Sequence, residues 1–205
     1  MNCPCCNGLS TPVFIKGNYE YYQCKTCQTL YVPGGIDQSN MVGGGFEAER
    51  NTSQNSERIR RFSWLSGIYG SILDYGCGHG MLVNDVKLAG MDCDGYDKFN
   101  PDMPKVPNKK YNLVSMIEVI EHLYSPYSEL NEIREVLADN GIVYIETSFT
   151  DIIPKPFDEA YYVEPSVGHC TIFSHMGLDI LMTSKGFTPL EHLNGNVRLY
   201  QKSKA

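Results

Sequence analysis

The sequence predicts an α/β fold: an open, mostly parallel sheet with helices on both faces and an antiparallel last strand, preceded by a small cysteine-rich module. Three observations predict it. An apolar strand, Ser71-Ile72-Leu73-Asp74, runs straight into Tyr75-Gly76-Cys77-Gly78-His79-Gly80, after which Met81, Leu82, Val83 and Val86 keep a helical period. Two further strand patterns follow at residues 91–97 and 111–117, the first ending in an acid and the second running into one. Five of the eight cysteines fall within the first 33 residues.

Cys3-x2-Cys6 and Cys24-x2-Cys27 leave 17 residues between the pairs, a spacing that predicts a closed tetrahedral zinc site. Each knuckle presents two sulfurs on one side of a tight turn, and short strands at residues 13–15, 19–22 and 30–32 bring the knuckles together as in a zinc ribbon. Cys5 is the spare thiol. The predicted site is structural, because a four-cysteine shell leaves no open position for chemistry, and disulfides are disfavoured in a chain without a secretion signal.

The chain of 205 residues divides into the ribbon at 1–33, a linker and amphipathic helix at 34–66, and the main domain at 67–205. Pro33-Gly34-Gly35 and Gly43-Gly44-Gly45 mark the linker as a loop, expected to be mobile. Ile59, Phe62 and Leu65 then recur at helical spacing and predict one face packed on the main domain. No apolar run approaches the roughly 20 residues needed to cross a bilayer, and the N-terminus lacks a signal-peptide pattern, so a cytoplasmic protein with no membrane partner is expected. A formal charge of −7 offers no field for a nucleic-acid backbone, and a zinc on four thiolates deepens it. Only Arg58-Ile59-Arg60-Arg61 suggests a local basic patch.

The glycine turn is read as a ligand site, with a spacing that a phosphate-binding dinucleotide site such as one for NAD also uses. Positions without side chains let the backbone approach a bound molecule, and the amides at the start of the following helix can face it. Asp97, at the end of the second strand, has the placement for holding ribose hydroxyls. The third strand, Tyr111-Asn112-Leu113-Val114-Ser115-Met116-Ile117, enters Glu118-Val119-Ile120-Glu121-His122-Leu123.

Together these segments resemble class I S-adenosylmethionine (SAM)-dependent methyltransferases. In that family the first strand carries Leu-Asp-x-Gly-x-Gly-x-Gly, the second ends Gly-x-Asp, and the fourth ends in Glu-Val-Ile/Leu-Glu-His-Leu. The resemblance spans residues 67–202. It implies a Rossmann-like sheet and a SAM site made by Asp74, Gly76, Cys77, Gly78, Gly80, Asp97, Ile117 and Glu118.

One segment departs from the family. Residues 98–110, with Pro101, Pro104 and Pro107, replace its third strand and the helix before it, and no acid stands where one often meets the adenine amine. Downstream, Pro126 opens a helix carrying Leu130, Ile133, Val136 and Leu137, stopped by Asp139-Asn140-Gly141, and Ile142-Val143-Tyr144-Ile145 is the next strand. Residues 149–168 have no period and match the insertion that covers the acceptor in the family. Gly168-His169-Cys170-Thr171-Ile172-Phe173-Ser174 resembles its His-x-x-x-Phe-Ser segment, with Ser174 as a helix N-cap. Asn194-Gly195-Asn196 predicts a final hairpin.

Glu118, Glu121 and His122 sit at i, i+3 and i+4, which on a helical turn places them on one face. With His169 they form the candidate catalytic cluster, open to three readings. Similar clusters in small-RNA 2′-O-methyltransferases, and as proposed for ubiquinone-pathway O-methyltransferases, imply a Mg²⁺ or Mn²⁺ site. His122 or His169 can instead act as a metal-free base, or the cluster can serve only to shape the pocket. His79 is read as a cofactor-edge or solvent-facing residue, and His175 and His192 as ordinary surface or core positions. The resemblance implies methyl transfer to an oxygen or nitrogen of a small-molecule acceptor of sugar, polysaccharide-precursor or metabolite type. A binding module with a degenerate SAM fold and a nucleic-acid methyltransferase are the competing readings.

Overall fold

The computed structural model describes residues 1–37, 52–67, 70–123, 126–190 and 195–204. The triple-glycine linker, His192 and Asn194 lie outside the described residues.

The main sheet has six strands. Parallel β4 (Ser71–Tyr75), β5 (Asp92–Tyr96), β6 (Tyr111–Ile117) and β7 (Leu137–Glu146) are joined by β10 (Val197–Lys202), antiparallel to β7, and by β9 (Phe187–Pro189) on the edge. Their order is β5-β4-β6-β7-β10-β9. Strands covered on both faces read as continuous apolar runs, and Leu113, Val114 and Met116 of β6 are fully buried.

Helix α1 (Thr52–Ser66) packs Phe62 edge-on against Tyr144, centroids 5.3 Å apart. Helix α2 (Met81–Leu88) buries Leu82, Val83 and Val86; α3 (Pro126–Val136) buries Leu130 and Ile133. Helix α4 (His175–Ser184) is capped by Ser174, whose Oγ accepts the Gly177 amide at 2.8 Å.

Two expectations are corrected. Leu137 pairs with Tyr111 and begins β7, so the predicted stop at Asp139-Asn140-Gly141 is an irregularity within the strand, with Asn140 at φ +60°; it is not a turn before it. The run from Arg58 to Arg61 makes no basic patch: Arg58 is buried on Glu146, and Arg61 bonds Glu57 and the Tyr144 hydroxyl. Residues 98–110 contain turns and bends with no helix or strand.

The cysteine module forms β1 (Ser10–Lys16), β2 (Tyr19–Cys24) and β3 (Leu30–Tyr31). Its sheet does not stop at residue 33. The two-residue strand β8 (Thr171–Ile172), from the far end of the main domain, pairs antiparallel with β3 and gives the order β1-β2-β3-β8.

Candidate functional site

The turn after β4 is built as its glycines require. Gly76, Gly78 and Gly80 have φ of +81°, +54° and +78°, where side chains are strained. A Cβ on Gly76 would come within 2.4 Å of Val119, so this turn lies directly against the one that follows β6. The amides of Gly76 and Cys77 donate to the Tyr96 carbonyl, and the Gly78 amide donates to Asp97 Oδ2 at 2.9 Å. Gly80 starts α2 with no side-chain cap.

Asp97 also accepts the Phe99 amide at 2.8 Å, and Asp74 accepts the Ser115 hydroxyl at 2.7 Å. A carboxylate has about four acceptor positions, so Asp97 keeps capacity for ribose hydroxyls. These residues fit a nucleoside cofactor. The segment that replaces the third strand folds back on the glycine turn: Asn100 donates to the Gly78 carbonyl at 2.6 Å, and the Met103 sulfur lies 3.5 Å from that of Cys77. Beside the turn, Asp74, Gly76, Met81, Leu82 and Ile117 line a cleft with Asn55 and Arg58 of α1.

Sequence reasoning missed Arg58 as a cleft residue. Its guanidinium donates to both oxygens of Glu146, at 2.7 and 3.1 Å, and to Asn55. Burial opposes the Arg58 charge, but Glu146 holds it above its usual range; burial likewise raises Glu146, and Arg58 reverses this to leave it low. The pair fixes α1 across the end of β7.

After β6 the predicted helical face is absent. Glu118 has φ +53° and its amide donates to the Glu146 carbonyl, and only residues Ile120–His122 form a single 3-10 turn. Glu121 is fully buried, accepting the Tyr162 hydroxyl at 2.5 Å on one oxygen and the Thr147 hydroxyl at 3.0 Å on the other. Burial pushes its carboxyl up, against these bonds.

His169 Nδ1 lies 2.6 Å from the Tyr162 carbonyl. A carbonyl only accepts, so Nδ1 carries the hydrogen and Nε2 is the basic nitrogen. Burial holds the His169 imidazole below the usual range, opposed by that carbonyl and by the Glu118 charge. Its ring packs between His122 and Tyr162, with centroids 4.7 and 4.4 Å away.

Ligand atoms of Glu121, His122 and His169 lie within 4.8 Å of one another; Glu118 is outside that set. Two imidazoles and a carboxylate already engaged by two hydroxyls suit a base better than a hard cation, which prefers several oxygens. Thr147 and Tyr162 were not singled out from sequence. Tyr162 sits in the aperiodic 149–168 insertion, whose aromatic content was the only signal. His79 is exposed, and His175 Nε2 lies 3.0 Å from the Gly195 carbonyl.

The four knuckle cysteines converge. Cys3 and Cys27 sulfurs are 3.6 Å apart, Cys6 and Cys24 3.5 Å, and all four lie within 4.8 Å of one another. A zinc tetrahedron with bonds of about 2.3 Å has sulfur–sulfur edges of about 3.8 Å. Amides of Thr26 and Cys27 donate to Cys24 Sγ, and that of Cys5 to Cys3 Sγ. Desolvation raises the Cys24 thiol, but the Cys27 and Thr26 amides prevail and bring it down to about 6. The residues fit zinc; Cys5 is buried and outside the set.

The family described as a methyltransferase domain matches residues 47–192. Several solved structures share the fold. A Burkholderia thailandensis 1,6-didemethyltoxoflavin-N1-methyltransferase, with bound 1,6-didemethyltoxoflavin and S-adenosylhomocysteine (SAH), is 13% identical, with a TM-score of 0.58 over 94% of this chain and 99% of that one. The CcbJ methyltransferase of Streptomyces caelestis is 11% identical, with a TM-score of 0.58 over 82% and 99%. DesVI of Streptomyces venezuelae is 16% identical, with a TM-score of 0.54 over 83% and 99%. At these identities the likeness is one of fold. No curated protein matches the chain.

Proposed function

The chain belongs to the methyltransferase-domain family, and from that premise we propose that it moves a methyl group from SAM to an oxygen or nitrogen of a small-molecule acceptor. The observation that carries the reading is the close approach of the glycine turn after β4 to Val119, in the turn after β6 that goes on to Glu121 and His122. Open α/β sheets bind ligands at the carboxyl ends of their strands, where both turns lie.

SAM supplies an electrophilic methyl group on sulfur. The chain's own residues do the rest. Asp97 takes ribose hydroxyls, the glycine turn admits the backbone close to the cofactor, and Met103 offers apolar surface to the adenine where the family's third strand is lacking. His169 Nε2 accepts the acceptor's proton as its oxygen or nitrogen attacks, and Glu121, Thr147 and Tyr162 hold that edge of the pocket. Cys3, Cys6, Cys24 and Cys27 hold a structural zinc. Amino-sugar and other natural-product methyltransferases among the solved folds, an amino pentose methyltransferase among them, support a metabolite-like acceptor.

A crystal structure of the protein with SAH tests the reading. Asp97 is expected on the ribose hydroxyls, with the SAH sulfur facing His169. A sulfur turned away from the edge formed by His122, Tyr162 and His169 would overturn it.

A further inference from the structure

We propose that the cysteine module is the backing of the acceptor site: with its metal bound, it fixes His169 in the tautomer that leaves Nε2 as a base, and Tyr21 is the positioning residue that transmits this. The inference rests on the reading of His169 as the base and adds what holds it there.

The connection is continuous. Tyr21 of β2 is fully buried, and its hydroxyl donates to the His169 carbonyl at 2.8 Å. One strand over, Leu30 and Tyr31 pair with Ile172 and Thr171, and the Val32 amide donates to the Cys170 carbonyl at 2.8 Å. The Cys170 amide in turn donates to the Glu121 carbonyl at 3.0 Å, so the ladder that starts at the module ends on the catalytic turn. Next to the metal ligands themselves, Ser174 donates to the Cys27 carbonyl and its amide donates to Thr29 Oγ1 at 3.3 Å.

The same module also carries the insertion. Tyr21, Leu30, Val32 and Ile36 share one apolar cluster with Ile153, Phe157 and Val163, and Tyr162 packs against it. Lys16 of β1 reaches the Ala160 carbonyl at 3.1 Å. Tyr162 is the residue whose carbonyl holds the His169 Nδ1 hydrogen and whose hydroxyl holds Glu121.

Both of these elements are too short to hold themselves. β8 has two residues, and the insertion contains one 3-10 turn, Pro165–Val167, and no strand or longer helix. A histidine in water prefers its hydrogen on Nε2, so the Nδ1–H form persists only while the Tyr162 carbonyl is kept in place. A base displaced or in the wrong tautomer loses rate and leaves cofactor binding intact, because the proposed cofactor residues are held by bonds of their own, the glycine-turn amides to the Tyr96 carbonyl and to Asp97.

The test is ¹⁵N spectroscopy of the full chain labelled at histidine, with the His169 signals assigned from the His169→Ala spectrum. In the zinc-loaded protein His169 should show a protonated Nδ1 and an acceptor Nε2. Removal of zinc by a chelator, followed by hydrogen exchange to confirm that residues 19–31 have opened, should shift His169 toward the Nε2–H form, and SAH affinity should hold. Should chelation unfold the whole chain, Tyr21→Phe decides: it keeps all four cysteines and the ring, and is expected to lose the Nδ1–H signature. His169 retaining that signature in Tyr21→Phe, or with the module open, would overturn the proposal. A tautomer that shifts as expected, in a protein whose methyl transfer is unaffected by His169→Ala, would instead leave the coupling standing and remove His169 from the role of base.

Discussion

Replacing His169 by alanine is expected to lower the methyl-transfer rate by roughly 10²–10⁴-fold, the usual contribution of a positioned general base. The hydrogen bond from Nδ1 to the Tyr162 carbonyl leaves Nε2 free of its own proton, so the side chain can take one only there. SAM affinity should be unchanged, because the residues assigned to the cofactor end lie at the glycine turn and Asp97. The pH profile follows from the same geometry. The base must be neutral, so activity is full above the His169 pKa and lost as pH falls through it. Burial holds that pKa below the usual histidine range, which puts the loss on the acid side of neutrality. SAH release with a panel of small oxygen and nitrogen acceptors measures both. An unchanged rate in the alanine variant would assign the base elsewhere.

Cys24→Ser is expected to have the largest effect on the fold. Purified protein should carry about one zinc per chain, and the variant close to none, since one ligand of a closed four-sulfur shell is gone. Structural zinc in small cysteine modules contributes an apparent stabilisation of about 10–16 kcal/mol, far more than three short strands supply by burial. The module should therefore open, and most of the helicity should remain, because α1 and α2 pack in a cluster of the six-stranded sheet that shares no buried residue with the module. Metal analysis and far-ultraviolet circular dichroism read the two effects separately. A metal-free protein with an ordered β1, β2 and β3 would contradict the zinc assignment.

Much of this was legible in the sequence where the chemistry is local. Glycines at 76, 78 and 80 are demanded by three left-handed backbone positions within five residues, and cysteine spacing fixes the knuckles because each is one turn. Ser174 announces a helix start for the same reason. What stayed hidden depends on long-range pairing. Nothing in Thr171-Ile172 marks two residues as the fourth strand of a sheet that begins at Ser10, because a pair of residues has no period. Glu118, Glu121 and His122 have helical spacing, but Glu118 at φ +53° takes it out of the turn, so spacing alone misplaced their faces. Arg58 reads as one member of a charged run until Glu146, far along the chain, is seen opposite it.

The most direct test of the central claim, that this chain binds SAM at the glycine turn and Asp97, is calorimetric titration of the purified protein. SAM should bind saturably, and Gly78→Val should weaken it tenfold or more, about 1.4 kcal/mol. Valine there must adopt φ near +54°, a strained conformation for a β-branched residue, at the position whose amide Asp97 accepts. Saturable binding of NAD with none of SAM, or a Gly78→Val variant that binds SAM as the wild type does, would contradict the account.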